Sequence, residues 1–316
     1  MIRWLLAALL LATTPAGAAW PEHPVRWLVG FPPGASPDLL TRLLAQRLQA
    51  EAGQPVVVEN RPGAAGNLAA SALARAPADG STIGTLFAAT LSINRHLYAQ
   101  LGFDPARDLA PVAEFARYPA LVLVNPALPV TDLAGLRAWV AAQLQPPLCA
   151  TPGAGVVPHL ATVALLRRWG LACEVVHYRG SPDALRDVMA GRVPLMLDAA
   201  PSALLLARDG KLRALAVTGA ARSPLAPELP AVAETLPGFE ALSWLAVGGP
   251  AGLPEAVAAA LEAFVAAAAA DPALRDRFAG LGAEVVSTPR GPLAARIAAE
   301  DARWGALIRE AGITAE

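Results

Sequence analysis

Apolar positions along this chain recur in two alternating patterns. Short strand-like apolar runs appear at residues 25–29, 56–59, 82–86, 121–124, 148–150, 174–177, 195–197, 215–217 and 244–247. Most are separated by helix-length segments with apolar residues at helical spacing, as at Leu39, Leu40, Leu43 and Leu44. Strand and helix in alternation predict an α/β fold of parallel sheets with covering helices. In open sheets of that kind ligands bind outside the carboxyl ends of the strands, where the helices begin.

Two of these strand-to-helix junctions stand out. Residues 31–38 read Phe-Pro-Pro-Gly-Ala-Ser-Pro-Asp, which puts Ser36 at the N-cap, Pro37 at the first helical position and Asp38 in the first turn. Residues 151–159, Thr-Pro-Gly-Ala-Gly-Val-Val-Pro-His, form a second loop of the same build. A helix start leaves backbone N–H groups without partners, so it attracts anions without any charged side chain. Two such loops facing one another would make a site for a small carboxylate. Asp198 closes an apolar strand and stands either as a polar ligand contact or as a cap for the following helix.

Composition narrows the class. Arg3, the apolar residues 4–12 and Ala16-Gly17-Ala18 predict a cleavable signal peptide over residues 1–18, hence an exported, periplasmic protein. The roughly 300 residues that follow suit two domains with a cleft between them. A net charge of -1 without a basic block gives no footprint for nucleic acid. The apolar stretch 256–270 contains Glu262 and stops at Asp271-Pro272, so it reads as a buried helix and not a membrane span. Cys149 and Cys173 fall on neighbouring strands but out of register, which favours two buried thiols over a bridge because bridge geometry is strict. Four scattered histidines show no metal-ligand spacing, and the single lysine, Lys211, belongs to no phosphate loop. Ser36, Ser202, His159 and Asp198 could be imagined as a nucleophilic set, but no nucleophile elbow surrounds either serine. Trp244 reads as core or hinge packing.

Longer motifs then make the chain recognisable. They are residues 31–38, Gln54-Pro-Val-Val-Val-Glu-Asn-Arg-Pro-Gly-Ala-Ala-Gly-Asn67, Pro77-Ala-Asp-Gly80, Tyr178-Arg-Gly-Ser181, Asp198-Ala-Ala-Pro-Ser202, Gly210-Lys-Leu-Arg-Ala-Leu-Ala-Val-Thr218 and Leu236-Pro-Gly-Phe239. From Trp20 to the C-terminus the chain resembles the Bug family, the extracytoplasmic binding proteins of tripartite tricarboxylate transporters. The resemblance implies an α/β, two-lobed periplasmic binding-protein clamshell of type II-like build, each lobe a mainly parallel sheet flanked by helices. Lobe one would hold residues 20–122 and 244–316, lobe two residues 123–243, with crossings near 121–125 and 242–247. It also implies a monomer without cofactor, metal or enzymatic activity, which captures a small carboxylate and hands it to membrane permease subunits. A sensor signalling to a membrane kinase is the alternative, and an extracytoplasmic hydrolase a lesser one. The residues expected at the ligand are Phe31, Gly34, Ala35, Ser36 and Asp38 of the first loop, Ala89 and Thr90, then Thr151, Gly153, Ala154, Gly155, Val157 and His159 of the second loop, and Asp198.

The chain also departs from the family pattern. Gly34-Ala35 replaces the usual Gly-Gly, and Ala154, Val156, Val157 and Pro158 stand where hydroxyl and amide side chains are usual. A buried polar ligand group without partners costs on the order of 1–3 kcal/mol, so the expected ligand is a small mono- or dicarboxylate with an apolar or aromatic body, and a highly hydroxylated ligand such as citrate is disfavoured. His177, where proline is common, is expected to be a satisfied histidine without a ligand role.

Overall fold

The computed structural model describes residues 20–315; the expected signal peptide lies outside them. The strands among the described residues are β1 (Val25–Val29), β2 (Val56–Asn60), β3 (Thr82–Phe87), β4 (Leu109–Val124), β5 (Leu148–Thr151), β6 (Glu174–His177), β7 (Leu195–Ala199), β8 (Arg213–Val217), β9 (Leu242–Pro250) and β10 (Glu284–Pro289). Parallel trios form the heart of each lobe, β2-β1-β3 in one and β6-β5-β7 in the other. Antiparallel strands extend both: β9 pairs with β3, and β4 pairs with β9, β10, β7 and β8.

Strand β4 links the two sheets. Its 16 residues far exceed the four apolar positions expected at 121–124. Up to Pro119 it pairs with β9, and from Ala120 it pairs with β7, so the backbone changes sheets between those two residues. Pro111, Glu114, Arg117 and Pro119 hide the first part from a hydropathy reading, since proline cannot donate to a ladder. The ladder accommodates them through register shifts between Pro111 and Ala113 and between Glu114 and Ala116. Glu114 is fully buried and paired with Arg117 and Arg296.

The helices are α1 (Ser36–Ala52), α2 (Asn67–Ala74), α3 (Pro105–Asp108), α4 (Leu133–Ala141), α5 (Val157–Arg168), α6 (Ser181–Met189), α7 (Ala200–Arg208), α8 (Glu255–Ala270), α9 (Pro272–Gly280) and α10 (Arg290–Ala311). Among the described residues no single helix is long and apolar enough to cross a membrane. Helix α8 buries Val257, Ala258, Leu261, Phe264 and Val265 in the core that contains Trp27 and Phe115, so its apolarity serves packing.

Two local expectations are corrected. Ser36 is not the N-cap of α1 but its first residue; Ala35 is the cap and makes no side-chain capping bond. The loop is closed instead from inside the helix, where the Gly34 N–H donates to Asp38 Oδ2 at 2.9 Å. Cys149 and Cys173 are joined in a disulfide, with Cα atoms 5.9 Å apart, and are not free thiols. Cys149 is level with Val175, and Cys173 lies two residues earlier, just before β6, so a bridge across the offset still meets the geometric requirement on Cα separation.

Candidate functional site

Four helices begin at the carboxyl ends of β1, β5, β6 and β7, and each carries proline as its second residue: Ser36-Pro37, Val157-Pro158, Ser181-Pro182 and Ala200-Pro201. Proline sets φ for the helix start at a position whose N–H has no intrahelical partner. The four starts surround one cavity of about 490 Å³, counting the space that opens to solvent. Phe31, Ser36 and Pro37 line it from the first loop, Pro152, Val156, Val157 and Pro158 from the second. Phe87 ends β3 and Ala88 and Ala89 follow it, Tyr118 comes from β4, Ser181 from α6, Asp198 and Ala199 from β7, and Ser243, Trp244 and Leu245 from β9.

Of the expected ligand residues, Phe31, Ser36, Ala89, Val157 and Asp198 lie in this wall. Gly34, Ala35, Asp38, Thr90, Thr151, Gly153, Ala154, Gly155 and His159 stand outside it, and several have visible loop-building roles. Asp38 accepts from Gly34 N–H, Arg42 Nε and Asn60 Nδ2. Ala35 is buried in the core of β1 and α1. The Thr90 hydroxyl donates to the Phe87 carbonyl at 3.0 Å. Thr151 Oγ1 lies 2.9 Å from His177 Nδ1, and Gly155 N–H donates to His159 Nδ1 at 3.0 Å. Burial, with His177 ring-to-edge at 4.7 Å, pushes the His159 pKa down to about 3 and keeps it neutral.

The sequence reading missed Tyr118, which lies in the unrecognised half of β4, and undervalued Ser181, Ser243 and Trp244. Ser181 carried a helix-start signal, and Trp244 was visible only as a large residue in a strand. The Trp244 indole is buried, and its Nε1–H has no acceptor among the described residues. Such a donor costs about 1–3 kcal/mol until something accepts from it.

Asp198 is the acid of the site. It is fully buried, accepts from the Ser181 hydroxyl at Oδ1 and the Ser202 hydroxyl at Oδ2, both at 2.8 Å, and does not cap α7, whose N-cap is Ala199. Burial outweighs these two hydrogen bonds and one from the Ala199 backbone, and raises its pKa to about 6. Ser202 Oγ also lies 3.0 Å from Ser36 Oγ. With the Ser202 proton given to the carboxylate, Ser36 donates to Ser202, and a hydroxyl chain runs from the first loop to Asp198. His159 is bonded to Gly155 and to neither serine, so the set lacks the base a nucleophilic serine requires.

Among the described residues no lysine, arginine or histidine lines the cavity. Arg61, the tempting anchor in the Glu-Asn-Arg-Pro-Gly block, instead pairs with Glu59 at 2.6 Å outside the wall. An anion here would be held by hydroxyls, the free N–H groups of helix starts and the indole N–H. Among the described residues no group of three or more His, Cys, Asp or Glu could hold a metal ion.

Comparison with known proteins agrees with this architecture. Residues 40–313 match the tripartite tricarboxylate transporter family receptor, TctC. Protein BugT of Bordetella pertussis is 33% identical over 317 residues, covering 98% of this chain and 97% of BugT. A Rhodopseudomonas palustris protein, Rpa4515, solved with adipate, superposes with a TM-score of 0.91 at 36% identity, covering 93% of this chain and 99% of the other. MatC of the same organism, solved with bound malate, gives a TM-score of 0.84 at 31% identity, covering 92% of this chain and all (100%) of the other. These are binding proteins and not enzymes, and the chain described here belongs to their family, the TctC or Bug-type periplasmic solute-binding proteins.

Proposed function

We propose that this solute-binding protein captures a small carboxylate between its lobes and delivers it to the membrane subunits of a tripartite tricarboxylate-type transporter, after export to the periplasm by its N-terminal signal. The observation that carries the carboxylate reading is the convergence of four helix starts on a cavity without a basic side chain. The adipate and malate found in the two Rhodopseudomonas relatives support the same ligand class. Lobe one is proposed to comprise residues 20–122 with 244–316, and lobe two residues 123–243. Phe31, Ser36, Ala89, Val157 and Asp198 are proposed to touch the ligand, while the other expected residues shape the loops that carry them.

A thermal-shift screen of small carboxylates tests this reading. A ligand at 100 times its dissociation constant stabilises the protein by roughly 2.7 kcal/mol, so a binder shows as a clear rise in Tm. Arg61→Ala should leave that rise intact. Loss of binding in a folded Arg61→Ala protein would replace helix-start recognition by a guanidinium anchor.

A further inference from the structure

Four hydroxyl side chains line the cavity, and they divide into two pairs. Ser36 is bonded to Ser202, and Ser181 donates to Asp198, so both are committed within the protein. Tyr118 and Ser243 are not: among the described residues neither side chain forms a hydrogen bond, although they are only 4% and 9% exposed. The two are direct partners across the antiparallel ladder of β4 and β9, so their side chains project from the same face of the sheet. Burial together with the nearby Asp198 holds the Tyr118 phenol neutral, and it keeps a proton to donate.

The pair stands apart from the helix starts, since β4 links the two sheets and β9 runs beside it. In an open cleft water serves these hydroxyls, whereas a ligand that fills the cavity displaces that water and has to replace its hydrogen bonds. An alkyl end set against Tyr118 and Ser243 would leave both unpaired; an oxygen acceptor would take their protons. A site built to hydrogen-bond an oxygen rejects an analogue lacking it more strongly than an apolar pocket rejects an added one. Elsewhere the wall suits hydrocarbon, with the Phe31 and Phe87 ring centroids 5.2 Å apart and Val157 on the other loop.

We infer that Tyr118 and Ser243 are specificity-determining residues, whose hydroxyls on the two central strands bind a second oxygen-bearing group of the ligand, a carbonyl or a further carboxylate, joined by hydrocarbon to the carboxylate held at the helix starts. This rests on the carboxylate-binding reading above and adds to it the residues that read the other end of the molecule. Hexanoate, 5-oxohexanoate and adipate separate the possibilities, since they share the six-carbon chain of the acid bound by Rpa4515 and carry no second acceptor, a neutral one and a charged one.

Titration calorimetry of the full chain with these three acids tests the inference. 5-Oxohexanoate or adipate should bind at least about tenfold more tightly than hexanoate, and whichever of the two is tighter identifies the second group as neutral or charged. Tyr118→Phe and Ser243→Ala, each of which removes one hydroxyl, should each shrink that preference by about two- to tenfold. Hexanoate binding as tightly as both other acids would overturn the inference and leave the carboxylate reading standing. A preference that survives undiminished in both variants, with all three acids weakened alike, would also overturn it, because the hydroxyls would then support the fold and not the second group. No binding of any of the three would count against the carboxylate reading itself and take the inference with it. Should one variant fail to fold, the preference in the wild type and in the other variant still decides.

Discussion

Ser36 and Ser202 are separated by 166 positions in sequence, yet their hydroxyl oxygens lie 3.0 Å apart. Ser36 opens α1 behind β1, and Ser202 sits in the first turn of α7 behind β7, so this hydrogen bond ties the two halves of the molecule together beside the cavity. Ser202 is in turn bonded to Asp198. A single hydroxyl therefore contacts both the first loop and the buried carboxyl.

Removing the first link should make closure less favourable. One hydrogen bond contributes about 0.5–1.5 kcal/mol, so Ser36→Ala should weaken ligand binding by roughly two- to tenfold while Tm without ligand changes little. Titration calorimetry reads the affinity and small-angle scattering the compaction. Unchanged values in both would mean that the serine pair does not contribute to closure.

A second approach between the halves is steric. A Cβ at Gly180 would lie 2.5 Å from Pro32 Cγ, a separation that side-chain atoms do not tolerate. Gly180→Ala should hold β6 and α6 away from the first loop and reduce ligand-induced compaction. Scattering that shows full compaction in the ligand-saturated variant would disprove this.

The disulfide encloses a loop with a sequence separation of 24. Chain-entropy reasoning gives about 3 kcal/mol of stabilisation for a loop of that size. Cys149→Ala combined with Cys173→Ala should therefore lower the urea midpoint without altering ligand preference. Free thiols in the intact oxidised protein, counted by alkylation and mass spectrometry, would show that the pair is not bridged.

Acid should favour the folded state through Asp198 and oppose it through His159. The Asp198 pKa rises from 3.8 to about 6 on folding, so its contribution is fully present below about pH 4 and is lost as pH rises through about 6. The depressed His159 pKa acts in the opposite sense, its contribution being present above about pH 6.5 and lost as pH falls towards 3. Comparing the wild type with Asp198→Asn isolates the carboxyl. The wild type should gain on the order of 3 kcal/mol relative to the variant between about pH 7 and pH 4. Parallel pH profiles would mean that Asp198 is not perturbed by burial.

Much of the framework was legible from residue order. The run Val25–Val29 is a strand as expected, as is Glu174–His177, because short β-branched or apolar runs between turn signals leave few alternatives. The two Gly-Pro-rich loops announced helix starts, and both line the cavity. The first half of β4 was hidden because its prolines and charges are satisfied only by distant partners: Glu114 by Arg296, and the bulged ladder by β9. Tyr118 went unnoticed with it. Cys149 and Cys173 illustrate the same limit, since a bridge from β5 to the residue just before β6 depends on a register that spacing does not specify.

Local chemistry therefore determined which segments become strands, where helices begin, and that anions are attracted to those beginnings, because these properties follow from side-chain periodicity and backbone hydrogen bonds within a few residues. Only the tertiary structure decided which of those residues face one another. Asp198 becomes a buried acid, Trp244 is left without an acceptor among the described residues, and Asp38 braces its loop partly through Asn60, 22 positions along the chain; in each case burial sets the energy of the polar group more than its identity does.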